Sequence, residues 1–128
     1  MRAFLLLLTL AGCAATTGSS MEERERAGLA ENLAERVEGE PRSCVSQTSG
    51  QTLNVVDERT VVYNEGRTIW VNKLRSECPG LDPIDPIIIE THGGQYCNGD
   101  RFRTQQPGTS VPGPVCFLGD WTPYRMRD

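Results

Sequence analysis

The sequence predicts a mainly β fold, a small antiparallel barrel or sandwich of five to six short strands braced by disulfides. Three observations predict it. From Arg42 onward, runs of four to seven residues rich in β-branched and aromatic side chains alternate with turn residues. Thirteen glycines and eight prolines punctuate a chain of only 128 residues. Four cysteines, Cys44, Cys78, Cys97 and Cys116, fall inside the same stretch. The length allows one folded domain.

The elements before that domain have a different character. Met1-Arg2 gives a positive start, and Ala3 to Ala11 is a continuous apolar run of nine residues. A bilayer-spanning helix needs about 20, so the run has the length of a signal-peptide core. It ends in Leu10-Ala11-Gly12-Cys13, which resembles the lipobox of bacterial lipoproteins. The resemblance implies a signal segment over residues 1–12, removed before Cys13, with a diacylglyceryl group on the Cys13 thiol and a further acyl chain such as palmitate on the new amine. Two or more chains hold a protein stably to a membrane where one does not. The competing expectation is ordinary secretion with cleavage after Ala14 or Ala15. Ala14 stands where Asp would signal inner-membrane retention; by analogy with that sorting rule, the outer membrane, facing the periplasm, is the expected address.

Residues 13–41 read as a lipid-anchored linker and a charged helix. Ala14 to Ser20 is small and polar, the composition of a flexible tether. Ser20 and Glu23 have the spacing of a capping box, and residues 21–37 are helix formers without proline. Glu22 and Arg26 are spaced to pair. Leu29, Leu33 and Val37 share a face that is thin and alanine-rich. A docking helix and a free charged stalk both fit, and the thinness of the stripe favours the stalk. Gly39 and Pro41 end the segment.

Residues 42–128 form the expected disulfide-bonded β domain. Strands are expected over Thr52–Val56, Thr60–Tyr63, Thr68–Leu74, Ile87–Thr91, Arg101–Thr104 and Val115–Gly119. Asn64-Glu65-Gly66 and Asn98-Gly99 are turn signals. Asp82-Pro83-Ile84-Asp85-Pro86 and Gln106–Pro114 are loops, because proline disfavours both helix and central strand.

With Cys13 assigned to lipid, four cysteines remain, an even number in an oxidising compartment, which predicts two disulfides. Three pairings are possible. Cys44–Cys78 with Cys97–Cys116 is favoured, since sequential pairing closes the shorter loops. Gaps of 34, 19 and 19 residues lack the close ligand pairs of structural zinc, so no metal is expected.

Candidate chemistry is sparse. The single histidine, His92, lies in Glu90-Thr91-His92-Gly93-Gly94, and Glu90, His92 and Asp100 are the only set from which an active site would be built. One imidazole and one nearby carboxylate fall short of a ligand set, so no enzyme and no cofactor is expected. Asp82 and Asp85 lack the EF-hand pattern and read as a solvated turn. Tyr63, Trp70, Phe102 and Phe117 are expected in the core, with Trp121 and Tyr124 as the exceptions in a terminal proline-containing segment. The net charge of -4 is concentrated in residues 21–40, with seven acids against three bases. That is no footprint for nucleic acid or for an anionic membrane surface.

The folded part resembles a family of small bacterial envelope proteins defined as a domain of unknown function. The resemblance rests on Arg42-Ser43-Cys44-Val45, Val56-Asp57-Glu58-Arg59-Thr60-Val61, Cys78-Pro79-Gly80-Leu81, Cys97-Asn98-Gly99-Asp100 and Cys116-Phe117-Leu118-Gly119. It implies a disulfide-bonded domain behind a secretion signal and carries no catalytic residue. The expected function is a non-enzymatic binding or structural module, held to the membrane through Cys13 and acting on an envelope protein partner. The alternatives are an inhibitor of an envelope hydrolase, with Gln106–Pro114 as its inserting loop, and an enzyme using Glu90, His92 or Asp100.

Overall fold

In the computed structural model, which describes residues 20–48, 50–91, 93–106, 108–109 and 111–127, the chain begins with a helix whose start its first residues dictate. The signal segment, Cys13 and His92 lie outside the described residues. Ser20 is the N-cap, its hydroxyl accepting the Glu23 N–H at 3.2 Å. Glu22 and Glu23 place negative charge at the positive end of the helix dipole. The helix, α1, runs Met21–Ala34. It stops short of residue 37 because the chain there becomes a strand, β1 (Arg36–Glu38), paired with the last strand of the protein.

Nine more strands follow: β2 (Cys44–Ser46), β3 (Leu53–Asp57), β4 (Thr60–Glu65), β5 (Thr68–Lys73), β6 (Ile87–Ile89), β7 (Gln95–Cys97), β8 (Arg101–Gln105), β9 (Pro112–Phe117) and β10 (Trp121–Met126). The mainly β expectation holds, in a sandwich-like arrangement. Among the described residues the strands form three antiparallel sheets, ordered β1-β10-β5-β4-β3, β2-β7 and β6-β8-β9, and no barrel closes. Ten strands replace the five to six expected. The additional ones are three residues long, too short to show alternation, or carry proline.

The β3-β4-β5 meander follows directly from composition. Its β-branched residues alternate between two faces, and Gly66, at φ 58°, supplies the left-handed turn between β4 and β5. One face presents Val56, Val62, Ile69 and Val71, against which Leu29, Leu33 and Tyr124 pack. The helix is therefore docked rather than a free stalk. Four buried aliphatic side chains need a cover, and two leucines one turn apart provide it. Arg26 fixes the docking by bonding Glu22 at 3.3 Å and Asp57 at 3.1 Å.

The other face carries Val55, Val61, Tyr63 and Trp70 into the main core, with Val45, Leu81, Tyr96, Phe102, Leu118 and Trp121. Trp121 is fully buried and donates its indole N–H to the Tyr96 carbonyl at 3.0 Å. It is a centre of the core, not an exception to it. Phe117 reverses the expectation the other way: it is 44% exposed on the outer side of β9.

Strand β10 contains Pro123, yet lies between β1 and β5. The Pro123 carbonyl accepts the Gly39 N–H at 2.8 Å. In a strand, a residue's N–H and C=O face the same side, so the missing N–H of Pro123 points towards Gly39, just past the end of β1. Opposite Trp70 on β5 it sits at a position where no ladder bond is lost.

Two disulfides form, but not in the favoured pairing: Cys44 bonds Cys97 and Cys78 bonds Cys116. Cys44 and Cys97 are directly opposed on β2 and β7. The flanking bonds Asn98 N–H to Ser43 and Gln47 N–H to Gly94 make theirs a pair without mutual hydrogen bonds, the class in which strands approach most closely; their Cα atoms are 4.0 Å apart. Cys78 then ties the loop after β5 to Cys116 on β9. Short loops favour sequential pairing only in the unfolded chain, whereas long-range strand register decides it here.

Candidate functional site

Where the small sheets meet the edge of the large one, β3 stands beside a proline-rich loop and leaves a groove of about 460 Å³ between them, within the range of small-ligand clefts. Leu53 and Val55 of β3 form one wall, the segment from Pro83 to Ile89 forms the other, and Tyr96 of β7 lies at the base.

The loop is held by its own side chains. Asp82 accepts the Ile84 N–H at 3.0 Å through its carboxylate, and its carbonyl accepts the Asp85 N–H at 3.0 Å. The Pro86 carbonyl accepts the Gln105 N–H at 3.2 Å, fastening the loop to β8. Flanking prolines fix the backbone between these bonds. The result leaves Ile84 58% exposed and Asp85 8% exposed, both lining the groove. The solvated turn expected at Asp82 and Asp85 is thus half right. Asp82 caps the loop, and Asp85 is buried because the loop folds against β8.

The electrostatics of the groove are simple. The ion pairs among the described residues are Arg26 with Glu22 and Asp57, and Arg59 with Glu77, so Asp85 has no cationic partner among them. Burial pushes the Tyr96 phenol above its ordinary value of 10.0, the neighbouring Tyr63 adds to the shift and the Gln47 side chain opposes it. Tyr96 therefore stays neutral, and Asp85 is the one carboxylate of the described lining. The remaining polar groups are uncharged, among them Gln47, Gln51, Thr52 and Asn54.

The residues singled out in the sequence lie elsewhere. Glu90 is exposed beside Arg101 in a shallow hollow of about 240 Å³ on the outer face of the β6-β8-β9 sheet. Asp100 accepts the Cys97 N–H at 2.8 Å and closes the Asn98-Gly99 turn, so one of its oxygens is occupied structurally. Among the described residues, no three His, Cys, Asp or Glu side chains gather as a metal site. The expected loop Gln106–Pro114 is shorter, because β9 begins at Pro112. Val111, immediately before β9, is 61% exposed. The signal that pointed to the groove was present in Asp82-Pro-Ile-Asp-Pro. Two prolines around an aspartate stiffen the loop, but which acid turns inward depends on contacts with β8, distant in sequence.

Fold and groove together define a class: a disulfide-braced β-sandwich with one docked helix and an open, largely uncharged polar cleft. The chain belongs to the family of unknown function DUF6491, whose model matches residues 1–118. No curated protein and no solved structure matches it.

Proposed function

We propose that the protein is a lipid-anchored, non-enzymatic binding module of the bacterial envelope, held at the outer membrane through Cys13, facing the periplasm, with the groove beside Asp85 as its binding site. The observation that carries this reading is the fate of the cysteines. Four of five are consumed in two bridges, as suits an oxidising compartment, leaving Cys13 in its lipobox-like setting. The family match takes in that segment. Asp100's role in a turn supports a binding rather than catalytic reading. The test is the mass of the mature protein extracted in detergent. The reading expects a chain starting at Cys13 with three acyl chains; an unmodified chain starting after Ala14 or Ala15 would overturn the anchor. Crosslinking in intact cells then identifies the envelope partner.

A second reading, inhibition of an envelope hydrolase, draws on the exposed Val111 at the end of the β8–β9 connection. Cell-wall lysis that is slowed by the wild type and not by Val111→Asp would support it; lysis unaffected by either protein would end it.

A further inference from the structure

We propose that the groove selects a small, hydroxyl- or amide-rich molecule carrying one ammonium group, and that Asp85 is the residue that selects it; this rests on reading the groove as the binding site. Asp85 is 8% exposed and has no ion-pair partner among the described residues. Three backbone restraints hold it in the groove: the Asp82 carboxylate on Ile84, the Asp82 carbonyl on Asp85 and the Pro86 carbonyl on Gln105. A carboxylate set in a cleft with no cation beside it is available to a positive group that a ligand brings.

The surroundings narrow the partner. Gln47, Gln51, Thr52 and Asn54 bring amide and hydroxyl groups that both donate and accept. No lysine or arginine is found in the described lining, so an anionic ligand would meet Asp85 uncompensated. A divalent cation needs several oxygen ligands, and the described residues place no such set together. An ammonium group satisfies one carboxylate with a charge-assisted hydrogen bond, the strong class of such bonds. The neutral amides then suit the rest of a sugar-like or peptide-like molecule, and Leu53 and Ile87 suit its apolar faces.

The test is calorimetric titration of the full-length protein in detergent with glucosamine, N-acetylglucosamine and alaninamide. The amine-bearing probes are expected to bind at least tenfold more tightly than the acetylated one. Binding of glucosamine alone would mark an amino sugar as the source of the ammonium group, and binding of alaninamide alone a peptide amine; either supports the proposal. Asp85→Asn is expected to lose about tenfold in affinity, the equivalent of one charge-assisted bond, while keeping the wild-type melting temperature. The unchanged melting temperature separates lost recognition from lost folding. Gln51→Trp, which fills the groove from an exposed position, is expected to block every probe. Equal binding of the amine and acetylated probes, unaffected by Asp85→Asn but blocked by Gln51→Trp, would overturn the charge selection and leave the groove as a site. Failure of all probes to bind the wild type would overturn both.

Discussion

Asn72 and Gly119 hold two distant parts of the chain together with a closed pair of hydrogen bonds: the Asn72 amide donates to the Gly119 carbonyl at 2.8 Å and accepts the Gly119 N–H at 2.8 Å. Asn72 is fully buried, and its side chain does what a neighbouring strand would do for a loop that has none. Removing it leaves a buried N–H and a buried C=O unpaired. Asn72→Ala is expected to cost roughly 2–5 kcal/mol, measured by urea unfolding. Gly119→Ala is expected to be at least as damaging, since a Cβ there collides with the Lys73 carbonyl.

Gly39 is required for a related reason. A Cβ at this position would lie 2.9 Å from the Pro123 ring, at the point where β10 tolerates its proline. Gly39→Ala is expected to destabilise by about 1–3 kcal/mol, and Gly39→Ala combined with Pro123→Ala by less than the two single changes summed. Strict additivity in the double-mutant cycle would show that the two residues do not oppose each other.

The bridges close loops of 53 and 38 residues, for which restriction of the unfolded chain gives about 4 kcal/mol each. Replacing either pair with alanine is expected to lower the urea midpoint substantially, with the two effects similar in size. Proteolytic mapping without reduction is expected to recover Cys44 linked to Cys97 and Cys78 to Cys116. A peptide joining Cys44 to Cys78 would contradict the register of β2 with β7.

Docking of α1 makes the charged segment part of the domain. Leu29 and Leu33 are partly buried against the valine face, so Leu29→Ala with Leu33→Ala is expected to cost roughly 1–3 kcal/mol, below the range for fully buried leucines. The same change is expected to accelerate hydrogen exchange in residues 21–34. Exchange in α1 that is already fast in the wild type and unchanged in the variant would restore the free stalk.

Stability is expected to fall at alkaline pH through two tyrosines. Burial raises Tyr96, with Tyr63 adding; burial raises Tyr124 too, with the charge of Glu38 and its hydrogen bond adding. Both phenols are held neutral in the folded state, so the unfolded chain releases these protons first. The contribution is intact below the ordinary value of 10.0 and is lost as pH rises through the higher folded values. The urea midpoint should drop as pH rises above about 10, and Tyr96→Phe with Tyr124→Phe should flatten that drop.

What the sequence disclosed depended on how local each cause was. Ser20 and Glu23 set the start of α1, and the alternation from Leu53 to Lys73, turning at Gly66, specifies the meander, because each signal acts within a few residues. β1, β2 and β7 are three residues long and gain their conformation from partners far along the chain. β10 was hidden by Pro123, whose cost vanishes only because its blank side faces Gly39. Trp121 looked peripheral by its place in the chain and is central by its bond to Tyr96. At the groove, the loop was legible from its prolines, while the burial of Asp85 was not, since it depends on the bond between Pro86 and Gln105.

Fractionation of cells expressing the wild type and Cys13→Ser decides whether this braced domain works from a membrane surface through Cys13. The wild type is expected in the outer-membrane fraction, released only by detergent, and Cys13→Ser in the soluble or uncleaved-precursor pool with its two disulfides intact. A Cys13→Ser protein of mature size that still sediments with the outer membrane would rule out Cys13 as the anchor.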